Sequence, residues 1–304
     1  MRAIVSAGAI LVLLSGCSLL GPTPVPAPAP TPPAPPPGAT AAPTTPSPAA
    51  TAPSAAPLTS PEAPTPEVPE SDLRSSFTGF AAGERGELSI ALAAVGGSGT
   101  PTVLGDLDAP VAWSTAKVPL AIAVERTPGA EALRPTMRRA ITASDNEAAI
   151  QLWQSLGQPA TAAAATDGVL RDFGDPTTRT QSQQVRPPYT AFGQTRWTLA
   201  DQARFAAQLP CRAEAGNVYA AMGQIIPGQS WGLGQLPSAH YKGGWGPSAT
   251  GHLVRQFGVI DVPGGQVAVA MAVTAPGFDQ GTATLSRAAQ WLGEHVDALP
   301  AGSC

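Results

Sequence analysis

Proline dominates one long segment of this 304-residue chain and limits where a folded domain can form. Nineteen of the fifty residues from 21 to 70 are proline, and most of the others are alanine, threonine, serine or glycine. Proline removes backbone hydrogen-bond donors, and small side chains supply no hydrophobic core. We expect residues 18–70 to form an extended, polyproline-II-like tether, which at about 3.1 Å per residue reaches on the order of 150 Å. Its expected role is spacing.

The segment ahead of the tether has the pattern of an export signal. Arg2 is followed by an apolar run from Ala3 to Leu14, which is too short to span a bilayer but typical of a signal-peptide core. Leu14-Ser15-Gly16-Cys17 then resembles a bacterial lipobox. We expect residues 1–17 to be a lipoprotein signal, with lipid on Cys17 holding the protein at the outer face of the cytoplasmic membrane. An ordinary secretory signal with an incidental cysteine is the alternative.

The composition changes at about residue 71, and residues 71–304 are long enough for one domain with a substantial core. Their two cysteines, Cys211 and Cys304, are expected to form a disulfide in an exported protein, two free buried thiols being the alternative. A net charge of −4 without basic clusters makes nucleic acid an unexpected partner. The three histidines have no metal-ligand spacing, so we expect no metal and no cofactor. We also expect a monomer.

Hydrophobic periodicity after residue 70 predicts strands near both chain ends and helices between them. The predicted strands are 87–95, 102–107, 253–262 and 266–274. The predicted helices are 71–82, 115–126, 130–143, 146–156, 161–173, 199–209, 218–225 and a final one through 285–296. This order implies an α+β fold. Its antiparallel sheet is formed from both chain ends and flanked by the N- and C-terminal helices, beside a helical subdomain.

Lysine is rare in this chain, which has two lysines and fifteen arginines. A GC-rich coding bias would replace lysine by arginine wherever either side chain serves. The two remaining lysines are therefore informative, because lysine can give up its proton and arginine cannot. Lys117 ends Trp113-Ser114-Thr115-Ala116-Lys117, and Lys242 begins Lys242-Gly243-Gly244. We expect both amines to take part in chemistry.

Three short motifs follow one another along the domain: Ser114-x-x-Lys117, Ser144-Asp145-Asn146 and Lys242-Gly243-Gly244. Together they resemble the motif set of penicillin-recognising serine enzymes. The element order of 71–304 resembles class A β-lactamases, and with the lipobox and tether the chain is similar to the β-lactamase-like lipoproteins of actinobacteria. Each motif alone is weak, since the first also fits an exposed helix start and the second an N-cap.

The resemblance implies catalytic roles for four residues. Ser114 would be the nucleophile, and Lys117, one helical turn away, the base within hydrogen-bond reach of its hydroxyl. Burial beside a second cation would depress the pKa of Lys117. Ser144 would pass a proton to the leaving nitrogen. Asn146 would hold the substrate amide and Lys117.

The resemblance also implies a substrate-binding strand. Lys242 would attract a substrate carboxylate, Gly244 belongs to the same binding motif, and the backbone N–H of Trp245 would complete an oxyanion hole with that of the nucleophile. Gly243 stands where the family usually has threonine or serine, so a hydroxyl that helps bind the carboxylate is missing. Arg255 on the next strand is a candidate to replace it, although a solvated strand arginine is the alternative.

A second departure concerns release of the acyl group. Class A enzymes have a glutamate about 36 residues after the Ser-Asp-Asn serine, which activates the hydrolytic water. Here that position falls in 180–184, Thr-Gln-Ser-Gln-Gln, and glutamine cannot act as a general base. The nearest carboxylate is Asp175. The spacing from Ser114 to Ser144 is also about half the usual one, so the helical subdomain should be trimmed and the cleft more open.

Two functions from different classes fit these motifs. The first is a membrane-tethered serine hydrolase that forms an acyl-enzyme on Ser114, deacylates slowly or not at all, and acts on cell-wall peptides or β-lactam-like compounds. The second is an inactive binding module of the cell envelope, whose cleft recognises a peptidoglycan peptide, a small carboxylate-bearing ligand or a protein partner. Retention of both lysines favours the first.

Overall fold

The computed structural model describes residues 70–107 and 110–304. The predicted signal peptide, the predicted lipidation site at Cys17 and nearly the whole predicted tether lie outside the described residues. Within the described part, no helix is both long enough and apolar enough to cross a membrane.

A five-stranded antiparallel sheet forms the centre of the domain, in the order β2-β1-β5-β4-β3. β1 pairs with β5 along its whole length, so the two chain ends meet in the middle of the sheet as predicted. β4 and β5 form the predicted hairpin, whose turn carries Gly264 at φ 86°, a left-handed conformation that favours glycine. The strands are β1 (Glu87–Ala94), β2 (Thr102–Leu104), β3 (His240–Ser248), β4 (Gly251–Val262) and β5 (Gly265–Ala275).

Helices cover both faces of the sheet. The terminal helices α1 (Glu70–Ala82) and α8 (Phe278–Glu294) pack on one face, where Phe77 meets Trp291 edge to face at 5.5 Å. On the other face α6 lies against the sheet and shares one core with the remaining helices. Those helices are α2 (Lys117–Glu125), α3 (Arg134–Thr142), α4 (Asn146–Ser155), α5 (Pro159–Asp172), α6 (Leu199–Gln208) and α7 (Gly216–Met222).

The two faces of β5 differ in side-chain size because residues alternate along a strand. Val267, Val269, Met271 and Val273 belong to the core under the terminal helices. The alternate residues are alanines and belong to the core under α6. Small side chains let α6 pack closely on the sheet, and α6 in turn supports the layer of helices that carries the site. The predicted α+β class is confirmed.

The structure differs from the predicted elements mainly at helix starts. The predicted helix at 115–126 is a 3₁₀ turn, Trp113–Ala116, followed by α2 from Lys117. The predicted helix at 130–143 likewise begins with a 3₁₀ turn, Ala130–Leu133. β2 is shorter than predicted and ends at Leu104. Apolar periodicity does not separate the tight turn from the α-helix that continues it, since both repeat about every three residues.

The predicted disulfide between Cys211 and Cys304 is present, with the two Cα atoms 5.2 Å apart. Cys211 follows α6, and Cys304 lies beyond α8. The bond therefore ties the chain end to the helix that supports the sheet. By the chain-entropy model a loop of 93 residues contributes about 4 to 5 kcal/mol to stability.

Candidate active site

Ser114 lies in the 3₁₀ turn ahead of α2, half-buried at the bottom of a cleft of about 580 Å³. Trp113, immediately before it, has φ 49°, a left-handed conformation that costs a non-glycine residue on the order of 1 kcal/mol or more. The cleft is lined by Trp113, Ser114, Ala143, Ser144, Asn146, Ile150, Pro188, Tyr189, Thr190, Gly193, Gln229, Trp245, Gly246, Pro247 and His252.

Two glycines of β3 allow the strand to run directly against the nucleophile turn. A Cβ on Gly244 would lie 2.9 Å from the backbone nitrogen of Ser114, and a Cβ on Gly246 would lie 2.4 Å from the ring of Trp113. No side chain fits at either position without moving backbone or indole. Trp245 follows Gly244 on β3 and also lines the cleft, on the side where the resemblance implies an oxyanion hole.

Lys117 is 1 % exposed and lies beneath the cleft. Its Nζ donates to the carbonyl oxygen of Ser144 at 2.5 Å, to Asn146 Oδ1 at 2.8 Å and to Ser144 Oγ at 3.4 Å. Three acceptors match the three donors of an ammonium group. Burial lowers the pKa of Lys117 to about 7, although the negative charge of Asp145 opposes the shift. A large fraction is therefore neutral near pH 7.

In the predicted Ser-Asp-Asn motif, the middle residue caps a helix and the outer two contact Lys117. Asp145 is the N-cap of α4, and its carboxylate accepts from the backbone N–H of Ala148 at 3.0 Å. Asp145 therefore caps the helix, while Ser144 and Asn146 contact Lys117. Ser144 has φ 56°, and this left-handed backbone turns both its carbonyl and its hydroxyl toward Lys117.

Lys242 is fully buried on β3. Its Nζ donates to Ser144 Oγ at 2.9 Å and to the carbonyl oxygen of Gly243 at 2.8 Å. Burial, followed by the positive charge of Lys117, lowers the pKa of Lys242 well below its usual value. With no exposed surface, this amine is not placed for a direct contact with a ligand in the cleft, where a substrate carboxylate was expected to meet it.

The structure corrects one expected contact. Ser114 Oγ makes no hydrogen bond to Lys117, or to any other group of the described residues, because the acceptors of Ser144 and Asn146 occupy the ammonium group. The hydroxyl of Ser114 is open to the cleft. Apo sites often have such loose catalytic contacts, which tighten when substrate binds.

Arg255 does not face the cleft, so its predicted part in substrate binding is wrong. It is fully buried, and its guanidinium donates to the carbonyl oxygens of Pro110, Val111 and Trp197 and to Gln202 Oε1 at 2.6–3.2 Å. Burial lowers the pKa of Arg255 to about 9, still above neutral pH. The charged group fastens the segment at Pro110 and Val111, just ahead of Ser114, to β4 and α6. It is neither solvated nor available to a ligand.

The space that a side chain at position 243 would occupy holds an indole ring. A Cβ on Gly243 would lie 3.0 Å from the ring of Trp231. Trp231 also packs edge to face against Trp245 and Phe278, each at 6.2 Å between ring centres. The glycine in the third motif is therefore matched by a tryptophan from the segment just ahead of β3, and an apolar ring stands where the missing hydroxyl was expected.

The loop at the family's deacylation position carries no carboxylate into the cleft. Gln183 and Gln184 are exposed and are not among the lining residues, whereas Thr190 is. Asp175 is fully buried, where it accepts from the backbone N–H groups of Thr177 and Thr178. Burial raises the pKa of Asp175. Of the described aspartates and glutamates, none lines the cleft.

Several cleft residues were not identified from the sequence. Tyr189 packs edge to face on Trp113 at 4.9 Å, and Gln229 and His252 reach the cleft from elements far apart in the chain. None lies in a recognisable motif. Their positions depend on long-range packing, which local pattern does not carry.

Solved class A β-lactamases share this fold. An ancestral class A β-lactamase has 22 % identity and a TM-score of 0.55, with 73 % of this chain and 99 % of that chain covered. A β-lactamase of Xanthomonas campestris has 20 % identity and a TM-score of 0.57, with 74 % of this chain and 97 % of that chain covered. The TLA-1 extended-spectrum β-lactamase has 14 % identity and a TM-score of 0.60, with 75 % of this chain and 99 % of that chain covered. No protein-family model and no curated protein matches the chain.

The fold is therefore β-lactamase-like, as the motifs predicted, with a trimmed helical subdomain. At these identities the likeness establishes the fold alone.

Proposed function

We propose that the domain is a serine hydrolase that forms an acyl-enzyme on Ser114. One observation carries the proposal: two buried amines, Lys117 and Lys242, converge on the hydroxyl of Ser144 beneath a cleft into which Ser114 opens. Buried lysines are costly, and a binding surface has no use for two of them at one hydroxyl. A base and a proton donor beside a serine are what acyl transfer requires.

The acylation step follows from these contacts. Neutral Lys117 donates its two N–H groups to the Ser144 carbonyl and to Asn146, which leaves its lone pair for the proton of Ser114. As that proton leaves, the Ser114 oxygen bonds to the substrate carbonyl carbon. The bond from this carbon to the leaving atom then breaks, and the leaving atom takes the proton of Ser144. Lys117 returns its extra proton to Ser144, so the net transfer is from Ser114 to the leaving group.

Deacylation is proposed to be slow. A water attacking the acyl-enzyme needs a base, and none of the described carboxylates lines the cleft. The substrates are proposed to be cell-wall peptides or β-lactam-like compounds. The protein is proposed to act outside the cytoplasmic membrane, held there by lipid on Cys17 and spaced by residues 18–70.

A second candidate function is a binding module. It is favoured by the free hydroxyl of Ser114 and by the indole of Trp231 over Gly243, where a substrate-binding hydroxyl is expected. Such a module would bind a cell-envelope peptide in the cleft without chemistry.

Intact-protein mass spectrometry separates the two. The protein is incubated with a fluorophosphonate and, separately, with a panel of penicillins, and the adduct mass is measured. The hydrolase predicts a covalent adduct on Ser114, lost in Ser114→Ala and Lys117→Arg. Absence of any adduct from the folded wild type favours the binding module.

A further inference from the structure

Three buried polar side chains, here called the Arg255 network, link β4 and α6 to the turn that carries Ser114. The guanidinium of Arg255 donates to Gln202 Oε1 at 2.6 Å, and Gln202 Nε2 donates to Thr115 Oγ1 at 3.1 Å. The hydroxyl of Thr115 donates in turn to the carbonyl oxygen of Ala112 at 2.6 Å. None of the three side chains is exposed or lines the cleft, so the network reaches the nucleophile turn from inside the protein.

The hydrogen bonds of the Arg255 network each have one possible direction. A guanidinium only donates, so Gln202 presents its oxygen to Arg255 and its NH₂ group to Thr115. The Thr115 hydroxyl accepts that bond and is left to donate to Ala112. The charge on Arg255 strengthens the first bond, since charge-assisted hydrogen bonds are about twice as strong as neutral ones. One buried cation therefore orients every member of the network.

The network holds the backbone on the N-terminal side of a strained residue. The carbonyl oxygens of residues 110–112 all accept hydrogen bonds from it, the first two from Arg255 at 2.8 and 3.2 Å and the third from Thr115. Trp113 follows directly, with φ 49°. Such a conformation persists only where its surroundings hold it. Ser114 is the next residue, so the network fixes the path of the backbone into the nucleophile.

We propose that Arg255 and Gln202 are positioning residues for acylation, which hold the nucleophile turn in the conformation that presents Ser114 to a substrate. They act through Thr115, and the proposal rests on the proposed acyl transfer. Arg255 forms no salt bridge with any described carboxylate, and an unpaired buried cation destabilises the folded protein. A hold on the turn gives this unfavourable burial a function, because a displacement of about 1 Å can lower a reaction rate about 100-fold.

Gln202→Glu separates positioning from stability. The new carboxylate still accepts from Arg255, now as an ion pair, but it cannot donate to Thr115. The Thr115 hydroxyl should turn to the carboxylate and release the carbonyl oxygen of Ala112. We expect urea unfolding at neutral pH close to that of the wild type, whereas labelling of Ser114 at saturating fluorophosphonate should slow about tenfold or more. Labelling at the wild-type rate would overturn the proposal.

Two fully buried glutamines provide a matched comparison. Gln202→Met breaks the network, whereas Gln256→Met removes the neighbour of Arg255 on β4, which bonds to the backbone of Trp231 and Leu233. Both variants lose buried hydrogen bonds and should unfold at a lower urea concentration than the wild type. Only Gln202→Met should lower the saturated labelling rate per folded molecule, again about tenfold or more. Equal rates in the two variants would contradict a specific role of the network.

Hydrogen exchange measures the hold on the turn without chemistry. The backbone N–H groups of Ala112 and Thr115 donate to carbonyl oxygens at 2.7 and 3.1 Å, so a loosened turn should exchange faster. Mass spectrometry should show faster exchange in the peptide 110–117 for Gln202→Met and not for Gln256→Met. That result supports the hold on the turn even if fluorophosphonate leaves the wild type unlabelled and the proposed function fails. Unchanged exchange would overturn the proposal whether or not the serine reacts.

Discussion

Lys117 and Lys242 both lie within hydrogen-bond distance of one oxygen, the hydroxyl of Ser144, at 3.4 and 2.9 Å. Neither amine has an exposed surface that would let water screen its charge. Two full positive charges at this separation in the interior are strongly unfavourable. Near pH 7 the two lysines together should therefore bind one proton fewer than two exposed lysines would, which leaves one amine neutral. A neutral amine has the free lone pair that a base needs.

Labelling of Ser114 should depend on pH. Because burial lowers the pKa of Lys117 to about 7, the rate of fluorophosphonate labelling should rise with pH and level off above an inflection near 7. Intact mass at timed intervals between pH 5.5 and 9 measures this rate. Lys117→Arg should remain unlabelled throughout, because arginine stays protonated. Labelling of that variant at the wild-type rate would rule out lysine as the base.

Stability should also report the buried amine. The pKa of Lys117 is about 7 in the folded protein and near 10.5 when unfolded, so the unfolded chain binds more protons between these values. This group's destabilising contribution is complete below pH 7 and is relieved as the pH rises toward 10.5. Between pH 7 and 10 the free energy of unfolding of the wild type should therefore increase by a few kcal/mol relative to that of Lys117→Met. Urea unfolding of both proteins measures the gap, and a constant gap would contradict the shifted pKa.

Gly243→Thr, which restores the usual third motif, should destabilise the domain by about 1 to 3 kcal/mol, because the new side chain meets the ring of Trp231. In a Trp231→Ala background the same change should cost much less, a coupling that a double-mutant cycle in urea detects. Gly99→Thr is the control, since a Cβ there meets nothing within 4 Å. Additive effects of the two substitutions would mean that the ring is not the obstacle.

Adducts on wild-type Ser114 should persist for minutes or longer. General-base assistance contributes about 10² to 10⁴ in rate, and no described carboxylate is placed to give it. Thr190→Glu puts a carboxylate among the lining residues and should speed release at least tenfold, whereas Gln184→Glu, on an exposed residue outside the lining, should not. Rapid multiple turnover of a chromogenic cephalosporin by the wild type would refute the prediction.

The lipobox predicts that the protein sediments with membranes, because lipid on Cys17 inserts into the bilayer. Cys17→Ser should move it to the soluble fraction or leave it unprocessed. Fractionation with immunoblotting, and metabolic labelling with a palmitate analogue, measure this. A wild type that is freely secreted would show that the cysteine is incidental.

The sequence was most informative where a local pattern sets a local structure. Alternation along β5, the Pro-Gly-Gly turn after β4 and the apolar face of α8 predicted the sheet and its closing helix. The three motifs predicted the fold because their order fixes which elements meet. Ser144 and Asn146 were placed beside Lys117 for the same reason.

The errors arose where long-range contacts decide the outcome. Arg255 was expected at the surface of the cleft, but its acceptors are carbonyl oxygens of Pro110, Val111 and Trp197, and no local pattern shows that these gather around one strand. The edge-to-face contact of Tyr189 with Trp113 is of the same kind. Each joins parts of the chain that meet only after folding.

The pairing of β1 with β5 has a consequence for the order of events in folding. Glu87 pairs with Thr274 and Ala94 with Val267, so the central strands of the sheet lie near opposite ends of the domain's sequence. Closing so long a loop is slow, and the edge of β1 that faces β5 stays unpaired until β5 has been synthesised, although β1 can pair earlier with β2 on its other edge. If the protein is exported as proposed, this delay keeps the domain unfolded when the chain meets a membrane pore, which is the state that threading through such a pore demands. The disulfide is subject to the same delay, since Cys304 can meet Cys211 only when the 93-residue loop between them has closed.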